Sequence, residues 1–376
     1  MTPRVVRRAR RAWQSWQDVQ PEPTPALEPI KLYGIASDPV PAPAKTITSN
    51  HALTSVVETW DEYIDRILFH FPHQEWTLRW ADQAGVVGQG LTYADRANGL
   101  AADAVSQAVA FAARRELRLH MSIALFRHEK GATPPRYTLQ EIELWAEELI
   151  GEMLTFGPLH VLSALEEQDN AIRRANYGMT PLEMAEVYAA IQTGALEAGY
   201  TGEFVGPATS PIDNVGYTFA EDLARAFEDI KLHGIGVHTY FRGFMNPRGD
   251  YTDGIQHLMD LFKVPTVCDQ RHVPLNEGAE ADKFAVYTAI EDIRLGNTGG
   301  WWPNRHGFNV GPLGDSPLFD VDGNPNPPTT YLTSFYDVVS SMGGEIVDNG
   351  PGSFSAGGET VIFNEDRADY FEFNQS

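Results

Sequence analysis

The sequence predicts an α/β fold, a (β/α)8 TIM barrel with an N-terminal extended arm and a small C-terminal β extension. Three observations carry that prediction. Eight short apolar runs alternate with seven helix-length segments of 3.6-residue periodicity between Lys31 and Trp302. Four of those segments open on a capping pattern, Thr92-x-x-Asp95, Thr138-x-x-Glu141, Thr180-x-x-Glu183 and Thr218-x-x-Glu221, in which a hydroxyl meets an orphan N–H and a carboxylate enters the first turn. No Gly-rich phosphate turn follows an early strand, as a doubly wound open sheet would require, and eight strand–helix units favour closure instead.

In chain order, residues 1–30 form an arm, basic at first and then Pro-rich. Arg4, Arg7, Arg8, Arg10 and Arg11 precede Pro21, Pro23, Pro25 and Pro29, a spacing that favours extended backbone. The barrel is expected over 31–335. Its strands are read at 31–35, 75–80, 118–126, 159–165, 203–207, 234–238, 264–268 and 300–302. The helices are read at 53–70, 92–115, 138–156, 180–198, 218–232, 253–262 and 280–294. Pro181 at a first helical position costs no hydrogen bond. Residues 311–330 read as a Pro/Gly-rich connection, and 336–376 as an extension packed on the barrel, with short strands joined by Gly343-Gly344, Gly350 and Gly357-Gly358.

Composition narrows the partners. The chain has 376 residues, 43% hydrophobic and 21% charged, enough for a sizeable core. A net charge of −23 argues against a nucleic-acid phosphate track and against a polybasic membrane contact. Cys268 is the only cysteine, which excludes an intrachain disulfide and a Cys-cluster metal site. No apolar run has the length of a membrane helix. The basic start is not followed by an apolar stretch, so no secretory signal is expected. The expected location is the cytoplasm or an assembly such as a virion, entered through the N-terminal arm.

Strand C-termini of a barrel converge on one face, where its chemistry sits. Read that way, strand two presents Arg79 and Trp80, and strand four Glu166 and Glu167. Strand six presents His238 and Tyr240, strand seven Asp269 and Gln270, and strand eight Trp301 and Trp302. Indoles stack on the apolar faces of sugar rings, while carboxylates, Arg and His hydrogen-bond the hydroxyls, so this ring fits a carbohydrate. Glycoside hydrolysis needs one carboxyl to protonate the leaving oxygen and another as nucleophile or base. Glu167 suits the acid, because Glu166 beside it disfavours a second negative charge. The structural alternatives are ion pairs of Glu166 with Arg79 or Arg173 and of Asp269 with Arg271, a barrel-rim role for His238 and Tyr240, and a core role for one of the two tryptophans. Asp320-x-Asp322-Gly323-Asn324 reads as a turn. No metal or cofactor motif is present, and none is expected.

These residues resemble the superfamily of retaining (β/α)8 glycoside hydrolases that includes cellulases and β-glycosidases. Its strand-four signature is Asn-Glu-Pro followed by Asp or Asn; here the run is Glu166-Glu167-Gln168-Asp169-Asn170, which puts Glu167 on the acid/base position. Thr180 to Tyr188 is similar to the family's fourth helix, His238-Thr239-Tyr240 to its His-x-Tyr, and Leu318 to Pro325 to its closing segment. Arg79 matches the Arg that holds the nucleophile, and Trp302 or Trp301 the Trp of the sugar floor. Two departures stand out. Glu166 replaces an Asn, so it can accept from a sugar hydroxyl but not donate. Strand seven, which ends in Thr-Glu in the family, reads Pro265-Thr266-Val267-Cys268-Asp269-Gln270. Aligned on Pro265, Gln270 takes the nucleophile's place; shifted by one, Asp269 does. The resemblance therefore implies one of two proteins: a glycoside hydrolase using Glu167 and Asp269, or an inactive barrel that binds glycan in a larger assembly such as a viral tail.

Overall fold

The computed structural model describes residues 31–36, 65–66, 68–71, 75–82, 109–123, 137–165, 179–209, 214–240, 247–272, 278–297, 299–301 and 324–375. Eight parallel strands make the barrel: β1 (Lys31–Ala36), β2 (Glu75–Asp82), β3 (Arg118–Ile123), β4 (Val161–Ala164), β5 (Glu203–Thr209), β6 (Gly234–Tyr240), β7 (Thr266–His272) and β8 (Gly299–Trp301). Sequence neighbours pair from β1 through β7, and β8 pairs with β1. Closure comes where β8 lies against β7 and the Thr266 N–H donates to Asn297 Oδ1, just before β8, at 3.3 Å.

Alternation along the strands produces two cores. Leu119, Met121, Leu162, Phe204, Ile235, Val237 and Cys268 belong to the main cluster between barrel and helices. Their neighbours Val161, Val205 and Val267 form a separate cluster, which is the inward face expected of a period-2 strand. A Cβ on Gly234 would meet Val267 Cγ2 at 2.9 Å, and one on Gly236 would meet the Ala208 backbone at 2.8 Å. Glycine at these two places lets β5 and β7 close over the interior.

The helices follow from their caps and faces. Helix α1 (Leu139–Phe156) and α2 (Pro181–Glu197) both open on complete capping boxes. Thr138 N–H donates to Glu141 Oε2 at 2.7 Å and Thr180 N–H to Glu183 Oε2 at 2.9 Å, while each threonine hydroxyl accepts from the glutamate N–H at 3.2 Å. Helix α2 is buried from Met184 to Ala195 with few breaks, because α1 crosses it where Gly194 lies on the Glu143 carbonyl, the Glu147 amide and the Ala146 methyl. The Tyr188 hydroxyl fixes α2 to the barrel by donating to the Val205 carbonyl at 2.6 Å, and its burial raises the phenol's pKa well above the ordinary value. Helices α3 (Asn214–Ala226), α4 (Pro247–Phe262), α5 (Ala279–Leu295) and α6 (Pro327–Ser341) follow along the chain.

The C-terminal segment forms an antiparallel sheet in the order β12-β11-β10-β9, from β9 (Val347–Asp348), β10 (Ser353–Ala356), β11 (Glu359–Phe363) and β12 (Phe371–Gln375). Its apolar face rests on the barrel helices. Phe371 packs on Phe335 of α6 and Phe363 on Tyr287 of α5, with ring centroids 5.7 and 5.4 Å apart. A polar clamp reinforces that seam. Fully buried Glu291 accepts from Thr252 Oγ1 at 2.7 Å, Arg294 Nε at 2.9 Å, Arg294 Nη2 at 2.7 Å and the Gly352 N–H at 2.6 Å. Arg294 Nη1 reaches both Asp348 oxygens at 2.8 Å.

Several boundaries differ from the sequence expectation. Strands β2, β6 and β7 run on to Asp82, Tyr240 and His272, because parallel pairing continues through their polar ends; the residues expected to extend β3 past Ile123 lie outside the described residues. Helix α3 begins at Asn214 and not at Thr218, so Thr218 lies inside it. Helix α6 was hidden in the Pro-rich stretch: Pro327 and Pro328 occupy its first positions, where a missing N–H is tolerated. The arm 1–30 and the Thr92 capping pattern lie outside the described residues.

Candidate functional site

All eight strands are parallel, so their C-terminal ends share one mouth. Strand β4 delivers Ala164 there and stops at Leu165, a buried branched residue with φ 67°. A left-handed leucine costs about 1–2 kcal/mol, and such outliers gather where a fold holds a functional segment in place. The Leu165 N–H donates to the Ile123 carbonyl at 3.1 Å, which holds this strained exit against β3. Glu166 and Glu167 follow in the sequence; like Trp302, they lie outside the described residues.

The other candidates sit on strands. Arg79 stands opposite Ile35 and His120, and Trp80 opposite Ala36 and Met121. His238 is fully buried on the inward phase of β6, two residues after Gly236. The pairing of β6 with β7 slips just before it. Val237 faces Cys268, but His238 faces Gln270, leaving Asp269 as the extra residue; Tyr240 then faces His272. Trp301 ends β8 opposite Gly34. The register thus brings His238 and Gln270 together as cross-strand partners. Asp269 and Gln270 are internal to β7, where the sequence expectation had them beyond its end.

One polar pair in the interior was not foreseen. His120 Nε2 lies 2.8 Å from Ser163 Oγ, both fully or almost fully buried, and Ser122 shares their inward phase. Alternation in Arg118-Leu119-His120-Met121-Ser122-Ile123 held the signal, with polar residues on every second position of an otherwise apolar strand. Below the mouth, His120, Ser163 and His238 therefore supply hydrogen-bonding groups on β3, β4 and β6. Cys268 points the other way, its Sγ 3.2 Å from Thr239 Oγ1, and takes no part. Among the described residues no group of three or more His, Cys, Asp or Glu side chains could hold a metal ion, and no helix is long and apolar enough to cross a membrane.

With that geometry in view, solved structures provide the comparison. The chain superposes on XacCel5A, solved in complex with cellopentaose, with a TM-score of 0.55, 12% identity, and coverage of 82% of this chain and 99% of that one. An endo-1,4-β-xylanase from Caldicellulosiruptor owensensis gives 0.51 at 12% identity, covering 82% and 97%. The catalytic core of a xylanase A gives 0.53 at 11% identity, covering 83% and 98%. The fold is that of the (β/α)8 glycoside hydrolases. No protein-family model and no curated protein sequence matches the chain.

Proposed function

We propose that this glycoside-hydrolase-like barrel binds a β-1,4-linked glycan across its mouth and hydrolyses it with Glu167 as general acid/base and Asp269 as the second carboxylate. The observation that carries this reading is the strained exit of β4 at Leu165 in a barrel of glycoside-hydrolase fold, immediately before the adjacent glutamates Glu166 and Glu167 in the sequence. Neighbours described as xylanases, and one solved with cellopentaose, support an oligosaccharide as the ligand. Arg79, Trp80, Glu166, His238, Tyr240, Gln270, Trp301 and Trp302 would bind and orient it. In such a reaction Glu167 gives its proton to the leaving oxygen, and the second carboxylate attacks the anomeric carbon or deprotonates a water. An aspartate's shorter arm favours the wider separation of about 6.5–9.5 Å and hence inversion.

The register supports a second reading. Gln270, not Asp269, is the partner of His238, and an amide cannot form a glycosyl ester, so the barrel would bind glycan without cleaving it, as a component of a larger assembly such as a viral tail. One experiment separates the two. Wild type, Glu167→Gln and Asp269→Asn are assayed on xylan, β-1,4-glucans and aryl glycosides, with affinity electrophoresis on the same polysaccharides. Turnover lost in both variants with binding retained supports hydrolysis. Binding by wild type without turnover on any substrate rejects hydrolysis in favour of the binding reading, and neither binding nor turnover rejects both.

A further inference from the structure

The floor of the barrel, opposite the mouth, is held by side chains that substitute for a backbone carbonyl. His160 immediately precedes β4. Its N–H donates to the Leu119 carbonyl of β3 at 3.1 Å, and the Leu119 N–H donates back to His160 Nδ1 at 3.0 Å. His233 repeats the pattern before β6: its N–H donates to the Phe204 carbonyl of β5 at 2.8 Å, and the Phe204 N–H donates to His233 Nδ1 at 2.9 Å. Before β8 the same position is taken by an amide, Asn297, whose Oδ1 accepts from Thr266 of β7. Every second strand junction in this half of the barrel is therefore gripped by one residue using a side-chain acceptor.

An imidazole accepts at Nδ1 only when neutral, with its proton on Nε2. Once protonated, both nitrogens donate, and the N–H of Leu119 or Phe204 then faces another N–H. We propose that His160 and His233 form an acid-released lock on the barrel floor, closed while the rings are neutral and opened when they take up a proton. The surroundings support this. Tyr200 Oη donates its single proton to the Glu203 carbonyl at 2.6 Å and lies 3.2 Å from the His160 carbonyl, so both junctions meet at one corner. The charged groups on the strands packed there are Arg118 of β3 and Glu203 of β5, which pair at 3.4 Å; Lys231 lies two residues ahead of His233, with its carbonyl taken by Gln192 at 3.1 Å. Burial lowers the His233 pKa, and Glu203 opposes that only in part. A folded-state pKa below the unfolded value means that the native state binds fewer protons. The lock's contribution is then complete above the unfolded imidazole pKa, and it is lost as pH falls through the folded one.

Asn297 supplies the control, because Asn accepts through Oδ1 without titrating. Hydrogen exchange of the Leu119 and Phe204 amides, corrected for intrinsic rates, is compared at pH 7.5 and 5.5 in wild type and in His160→Asn/His233→Asn. Wild type should lose about tenfold in protection at these amides on acidification, the effect of one lost hydrogen bond each, and the double variant should keep its protection. Equal acid sensitivity in both proteins, or none in wild type, would overturn the lock. Should the double variant not fold, ring nitrogen shifts of wild type at pH 7.5 decide alone. Nδ1 unprotonated in both rings upholds the proposal, and a proton on Nδ1 in either refutes it. The experiment reads the floor only, so it is independent of any activity at the mouth.

Discussion

Replacing Arg294 with alanine tests how firmly the C-terminal sheet is built into the barrel. The guanidinium provides two of the four donors on fully buried Glu291, the others being Thr252 Oγ1 and the Gly352 N–H. Removing it leaves a carboxylate in the interior with half its hydrogen bonds and without the cation that offsets its desolvation. Breaking a buried pair from one side costs about 3–5 kcal/mol. Asp348, the outer partner, has a side chain 53% exposed, so Asp348→Ala should cost no more than about 1 kcal/mol. Glu291→Gln keeps an acceptor but removes the charge and should fall between the two. Urea unfolding followed by far-UV circular dichroism and tryptophan fluorescence measures all three. If Arg294→Ala and Asp348→Ala lie within about 1 kcal/mol of each other, the clamp is not organised around the buried carboxylate and the reasoning fails.

Gly194→Ala should destabilise by about 1–3 kcal/mol, since the new methyl would press on the Glu143 carbonyl and Glu147 amide of α1; an unchanged urea midpoint would show that α1 and α2 can separate freely. Asp282, half-buried in the first turn of α5, has its carboxyl pushed up to about 6 by burial. Its native form thus holds a proton that the unfolded chain releases near the ordinary carboxylate value, and stability falls as pH rises through that window and stays lower above it. Asp282→Asn should therefore raise the melting temperature at pH 7.5 by roughly 2–4 °C after solvent screening, with the gain vanishing near pH 3.5; a gain that persists in acid would refute this. Glu167→Gln should lower turnover of any cleaved glycan by at least about a hundredfold, the least that a general acid contributes, as measured by reducing-sugar release.

Much of this fold was legible in the chain. Short apolar runs located the eight strands, and Thr138 and Thr180 marked helix starts to the residue, because a capping box is a local interaction. What stayed hidden is non-local or runs against propensity. Gly216 weakens the turn ahead of Thr218, so the capping pattern points to a start at Thr218, yet the helix already runs from Asn214. The paired prolines at 327 and 328 read as a loop although they open α6. At the mouth, residue types were readable but their register was not: the slip that pairs His238 with Gln270 depends on hydrogen bonds between strands distant in sequence. The histidines of the floor gave no sign at all, since a ring acceptor and an ordinary surface imidazole look alike in a sequence.

The three valines and two close-packed glycines inside the barrel also limit what its mouth can hold. They plug the cylinder from within, so no polymer can thread through it and no ligand can reach the far side. On the proposed reading, a chain-like glycan lies crosswise on the rim and meets the interior only with the unit that dips toward His238 and His120.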